Sequence, residues 1–390
     1  PFASSPPLLP LPLLQFRRSL SVSSRTRHVA RTEMTTPLQN KLNDTLQGAM
    51  ACSSIALGKR LGLFDALGAV GSKDKPATPK EVAEKAGCKE RYVREWLCSL
   101  ACAGFIEVTP DERFFLTDEA KQEFAGLNNA SVANMRFLPT VLHTFNELAE
   151  AFKKDGPYGL DYSQFSDFYD SMNEITEAWH AKHLVKDYFP LIGMKQKLEE
   201  GIKVLDVGCG SGFHALQMAA AYPSSEVHGA DISEKAIGMA TNWKKERNLD
   251  NLDFHVYDAG HMPPEWTGKF DFITIFDACH DQMRPDLCLK EIYRMLKPNG
   301  VFAMLEVRGT SNAYEDKIKN GAMASTFYSV SMFHCLPVGS NSKDALCMGA
   351  MWGERRAKEL LKAAGFAEEN VKVLYPEYFP INLVYLCKKQ

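Results

Sequence analysis

The chain has 390 residues, a formal net charge of -3, and 45% hydrophobic and 24% charged residues. That length allows two or three domains with sizeable cores, and so even a charge balance gives no broad electrostatic case for nucleic acid. No apolar run reaches the length of a membrane span. Ten cysteines are scattered without a C-x-x-C pair, which reads as reduced thiols, neither a disulfide frame nor a zinc site.

Residues 1–33 carry Arg17, Arg18, Arg25, Arg27 and Arg31, many serines and prolines, and one acid, Glu33. This composition reads as a leader, disordered or transit-like. A mitochondrial transit peptide is one reading; upstream sequence before a start at Met34 is the other. The expected compartment is cytoplasmic, with the mitochondrion as the alternative.

Residues 34–125 read as a helical N-terminal domain. Leu42, Leu46, Met50, Ile55, Leu57 and Leu61 give residues 38–70 helical apolar spacing. Thr78 is placed to cap a helix, with Pro79 in its first turn and Glu81 three residues after the cap. That helix stops at Gly87 and a second, Glu90–Ala103, stops at Gly104. Phe105–Thr109 and Phe114–Leu116 flank a Pro-Asp-Glu-Arg turn as a hairpin, which completes a winged helix. A DNA-reading helix needs an exposed basic face. Here Lys89, Arg91 and Arg94 alternate with Glu90 and Glu95, and the wing carries Asp111 and Glu112. A packing or dimer surface is therefore expected rather than nucleic-acid contact. A cofactor-sensing DNA-binding regulator is the rival from another class. Residues 126–200 read as a helical connector. Within it His180 and His183 lie on one helical stretch, and without a third ligand no metal is expected there.

Residues 201–390 open with Val204–Gly212, VLDVGCGSG. An apolar strand runs into a turn where Gly208, Gly210 and Gly212 let the backbone come close to a ligand. The spacing G-x-G-x-G, with Phe213 following, differs from the G-x-G-x-x-G of hydride-transfer sites. Further strands end in Asp231, Asp258-Ala259 and Asp277. Three acids at successive strand ends suit a ligand with ribose and adenine but no phosphate, and S-adenosylmethionine is such a ligand, with a cationic sulfur.

VLDVGCGSG, Asp231, Asp258-Ala259 and the Leu296–Gly300 turn resemble class I S-adenosylmethionine-dependent methyltransferases. Leu63–Leu67, Glu90–Leu97 and the wing resemble the front domain of small-molecule methyltransferases with an N-terminal winged helix, and more distantly plant O-methyltransferases. The resemblance implies a doubly wound seven-stranded Rossmann-like α/β sheet behind the winged helix, and a homodimer formed through the front domain. It implies that Gly208, Gly210 and Gly212 pack on the methionine part, with Asp206 near its amino group. It also implies Asp231 and the adjacent Ile232 at the ribose, and Asp258 and Ala259 at the adenine. Asp277 joins the expected cofactor site.

Methyl transfer needs an acceptor lone pair about 3 Å from the sulfonium carbon and exclusion of water. A hydroxyl acceptor also needs a base. His280, just past the fourth strand, is the candidate base, and the resemblance to plant O-methyltransferases, whose next strand ends in a Glu that orients their base, implies Glu306 as its orienting carboxylate. The plant enzymes carry a similar Cys-His-Asp segment, but have Trp where this chain has Gln282. The segment Met323–Trp352 is the expected cover of the acceptor. Asp281, His334 and Trp352 are its candidate contacts with a small-molecule acceptor. O-methylation is the leading expectation, and N- or S-methylation the alternative.

Overall fold

The computed structural model describes residues 35–124, 130–165 and 167–390. The leader expected over 1–33 lies outside them. Seven strands form one sheet: β3 Lys203–Val207, β4 Glu226–Asp231, β5 Leu252–Val256, β6 Phe270–Phe276, β7 Leu296–Val307, β8 Val371–Leu374 and β9 Asn382–Lys388. Their order is β5-β4-β3-β6-β7-β9-β8. The first five strands pair in parallel and β9 inserts antiparallel between β7 and β8. β3 pairs with β4 on one side and β6 on the other, so the chain reverses its winding direction there and opens a crevice at the strand ends. The Leu296–Gly300 turn survives inside β7, where Asn299 takes a positive φ of 64°.

The sheet is buried on both faces, which explains its continuous Val, Leu, Ile and Phe runs. One apolar cluster groups Leu205, Ile273, Met304 and Trp352. The other groups Val204, Phe272, Leu305 and Phe379.

The front domain begins with helices Pro37–Arg60 and Leu63–Val70, broken at Gly62, whose φ is 65°. The Thr78 capping box forms as the spacing predicts, and Glu81 bonds the Thr78 N–H and hydroxyl at 2.7 and 2.8 Å. Helices Pro79–Ala86 and Glu90–Cys102 lead into a hairpin of β1 Glu107–Val108 and β2 Phe114–Phe115. Phe64, Val82, Leu97, Leu100 and Phe114 fill its core.

The apolar spacing over 38–70 does mark helix, but of the residues that carry it Leu42, Leu46, Met50, Leu57 and Leu61 are 45–65% exposed and Ile55 is buried. The His180–His183 stretch is also not one helix. The helix Phe168–His180 ends there, a turn intervenes, and a π-helical segment Leu184–Tyr188 follows. His180 Nδ1 lies 2.8 Å from His214 Nε2, and His183 pairs with Asp187.

Gly212 opens the helix Phe213–Ala221 with a φ of 87°. A Cβ there would lie 2.6 Å from the Phe254 ring and 2.9 Å from Ala240 Cβ. Gly212→Ala is expected to cost roughly 2–4 kcal/mol, from left-handed strain plus overpacking, read as a lower midpoint in denaturant unfolding.

Candidate active site

The glycine turn forms where β3 ends. Gly208, Gly210 and Gly212 have φ of 64°, 54° and 87°, a conformation that side chains other than glycine's rarely adopt. Gly208 closes against Ala278, 2.9 Å from where its Cβ would stand, whereas Gly210 faces open space. The Gly210 N–H donates to Asp231 Oδ2 and the Ser233 N–H to Oδ1, both at 2.9 Å. Asp231 therefore ties the end of β4 to the turn. Burial nevertheless pushes its carboxyl above the ordinary value.

Asp206 is 1% exposed. Its Oδ1 accepts from the Thr274 hydroxyl at 3.0 Å, while its buried Oδ2 has no partner. Burial pushes its pKa up to about 7, against the lowering effect of the Thr274 bond. A buried, half-satisfied carboxylate beside an open glycine turn fits a cationic ligand.

The remaining expected cofactor contacts fall into two groups. Ile232 is 55% exposed, and Asp258 is half exposed, accepting from the Gly260 N–H and paired with His261. Both present exposed surface at the ends of their strands. Ala259 instead turns its side chain into the core. Asp277 takes a φ of 47° and accepts from the Asn382 amide at 2.8 and 3.0 Å. Its carboxylate is thereby committed to β9, and burial with Glu306 nearby pushes its pKa up to about 7.

The expected base and its partner do meet. His280 Nδ1 lies 2.5 Å from Glu306 Oε2, and Glu306 Oε1 accepts the N–H groups of Cys279 and His280 at 3.1 and 3.3 Å. Glu306 is wholly buried and His280 3% exposed. Burial alone would lower the His280 pKa, but Glu306 and Asp281 outweigh it and hold the imidazole well above its ordinary value. The bond to Glu306 engages Nδ1, and Nε2 lies 3.2 Å from Asp281 Oδ1.

Of the two candidate acceptor contacts past residue 330, the structure groups His334 with this cluster. Its Nδ1 lies 3.8 Å from Asp281 Oδ2, its ring stacks on Phe168 at 4.2 Å, and burial lowers its pKa to about 4. Trp352 is 1% exposed and packs in the sheet core with its indole N–H unpartnered.

Sequence reasoning missed the contribution of the connector. Tyr162 donates to Asp281 Oδ2 at 3.2 Å. Phe165 and Phe168 wall His334. Asn173 accepts from the Ser211 hydroxyl in the glycine turn, and Tyr169 bonds to Ser233 in the field of Asp231. The aromatic density of Tyr158–Tyr169 was the available signal. Cys335, against His280 and Asp281, was missed as well. In the front domain, Arg91 pairs with Glu95, and Arg94 with Glu90 and with Glu112 of the wing. Among the described residues no helix is long and apolar enough to cross a membrane.

A family model described as "Methyltransferase domain" matches residues 198–365, and an "Rv2258c-like winged HTH domain" matches residues 49–124. A demethylmenaquinone methyltransferase of Lactobacillus johnsonii is 30% identical over 154 residues, 39% of this chain and 61% of that protein. The chain spans about half to three-fifths of the length of this and the next three such relatives. A ubiquinone/menaquinone biosynthesis C-methyltransferase of Rickettsia bellii is 29% identical, over 57% of this chain and 90% of that one. Human N-acetylserotonin methyltransferase, solved with S-adenosylmethionine, shares the fold with a TM-score of 0.65 at 17% identity, over 93% of this chain and 99% of that one. Mitomycin 7-O-methyltransferase matches with a TM-score of 0.65 at 18% identity, over 90% of this chain and 98% of that one. The sheet topology, the glycine turn and the two matches together show that this chain carries a methyltransferase domain over residues 198–365 and a winged-helix domain over residues 49–124.

Proposed function

We propose that this chain transfers a methyl group from S-adenosylmethionine to a hydroxyl of a small molecule, with His280 as general base. The observation that carries this reading is the buried His280–Glu306 pair at 2.5 Å, at the strand edge that also holds the glycine turn. When bound, the cofactor supplies an electrophilic methyl on a positive sulfur. Asp206, with one oxygen unpartnered, would hold the cofactor's amino group. Gly210 and Asp231 would line the backbone cradle, and Ile232 and Asp258 offer exposed apolar and acidic contacts on the nucleoside side. His280 Nε2 takes the acceptor proton, and Glu306 fixes the tautomer and steadies the imidazolium that results. Tyr162, Phe165, Phe168 and His334 exclude water. Asp281 and His334 would contact the acceptor. Asp277 and Trp352 serve as structural supports in this reading.

A second reading, C-methylation of a ring bearing a hydroxyl, draws on the printed names of the sequence relatives. The same base would serve, since removing the hydroxyl proton makes a neighbouring ring carbon nucleophilic. Locating the methyl group in the isolated product by NMR separates the two. The exposed apolar face of the first helix supports a homodimer, and paired arginines on the second winged-helix helix support a packing role over DNA reading.

His280→Ala should lower kcat about 100- to 10,000-fold for a hydroxyl acceptor, with cofactor binding by calorimetry intact. The base must be neutral and its pKa is raised, so kcat/KM should rise with pH, with an acidic limb above about 6.5. Glu306→Gln should move that limb to lower pH while slowing turnover. Retention of full turnover by His280→Ala on the true acceptor removes the base assignment.

Asp206 must be ionised to hold an ammonium group. Cofactor affinity should therefore fall as pH drops through about 7, with proton release on binding visible as a buffer-dependent heat. Asp206→Asn should bind more weakly and lose that dependence. Leu42→Lys with Leu46→Lys should shift the mass measured by light scattering from dimer to monomer; an unchanged mass in both proteins would overturn the dimer face.

A further inference from the structure

We propose that His280, Asp281 and Cys335 form a binding site for a zinc-class divalent cation, and that its occupation switches the enzyme off. Nε2 of His280, a carboxylate oxygen of Asp281 and Sγ of Cys335 all lie within 4.8 Å of one another. Imidazole, carboxylate and thiolate are the donors that borderline-soft divalent ions such as zinc select. Three protein donors with one open position form the usual exchangeable zinc arrangement.

Two independent observations point to a ligand at the centre of this triangle. Asp281 Oδ1 is buried and accepts no well-formed hydrogen bond, although His280 Nε2 stands 3.2 Å away. Without a metal, the His280 imidazolium and the Cys335 thiol stand beside this oxygen, and a divalent cation would take the place of that positive group. The outer partners of a metal site are also already in place. Glu306 holds His280 through Nδ1 at 2.5 Å, the carboxylate–histidine pairing that orients a metal-bound imidazole and strengthens it as a donor. Tyr162 donates to the other oxygen of Asp281 at 3.2 Å, leaving Oδ1 to face inward. The Asp281 side chain keeps 10% of its surface exposed against 3% for His280, so it marks the side from which an ion enters.

The consequence for activity rests on the reading of His280 as base. Cation binding uses the Nε2 lone pair and the Cys335 thiolate, so it releases to solvent the Nε2 proton of the imidazolium and the proton of a thiol that burial pushes up to about 12; that Nε2 pair is the same one that would take the acceptor proton. A bound ion therefore competes with catalysis instead of assisting it.

Cobalt(II) is the probe, because its visible spectrum reports tetrahedral geometry and its near-ultraviolet charge-transfer band reports a thiolate ligand. The full-length protein should bind one cobalt(II) per chain with both signatures, and zinc(II) should displace it. Cys335→Ser should abolish the thiolate band and weaken binding at least about tenfold, and Asp281→Asn should weaken binding while keeping the band. Cys102→Ser, at an exposed thiol, should change neither. A spectrum without tetrahedral character, or one that survives Cys335→Ser unchanged, is adventitious thiol binding only and overturns the site. Zinc binding that leaves turnover untouched overturns the switch. These optical readouts need no acceptor and no turnover. Failure of the metal site is thus distinguishable from failure of the methyl-transfer reading, which His280→Ala tests separately.

Discussion

The centre of the molecule depends on one buried carboxylate. Glu306 has no exposed surface, and an ion in that position is tolerated only if its charge and its lone pairs are met. Three donors meet them: the His280 ring and the main-chain N–H groups of Cys279 and His280. The same contacts that make the charge tolerable fold the segment after β6 back onto the end of β7. They also fix the imidazole so that Nε2 lies toward Asp281. Structure and proposed chemistry are thus joined at a single group, and removing it would leave His280 Nδ1 and two main-chain donors unpaired.

The second determinant is the connector. The segment Tyr162–His180 crosses the strand edge and reaches three places at once. Tyr162 meets Asp281, Phe168 stacks on His334, and Asn173 and His180 bond to Ser211 and His214 around the glycine turn. The proposed acceptor and cofactor regions are therefore walled by one helix, and a shift of that helix would open both. This arrangement suits a reaction that must exclude water from a reactive sulfonium.

Several acids at the strand edge have distinct environments, and those environments set their roles. Asp231 is satisfied by the main chain of the turn, Asp258 stays half in solvent, and Asp206 keeps one buried oxygen free. Asp277 looked equivalent to them in sequence, because each ends a strand. Its carboxylate is instead engaged by Asn382. That residue arrives through the antiparallel insertion of β9, 105 positions away in sequence, and no local pattern announces it. Trp352 shows the same limit. It is apolar and aromatic in a segment expected to cover the acceptor, yet its neighbours are core residues of the sheet.

The sequence by itself determined what depends on short range. Period-two and continuous apolar runs set the strands, glycines at fixed spacing set the turn that needs positive φ, and Thr78 with Glu81 set a helix start. The partnership of His280 with Glu306 was legible through the resemblance to plant O-methyltransferases, whose next strand ends in a Glu at the matching place, and the pairing of β6 with β7 brings the two together. Tertiary structure alone decided which side chains share a volume when the chain between them is long. It placed Cys335 and Tyr162 against Asp281, turned Asp277 to β9, buried Trp352, and left the leucines of the first helix in solvent. The physical reason is that periodicity specifies which face of an element is apolar, while packing specifies what that face meets.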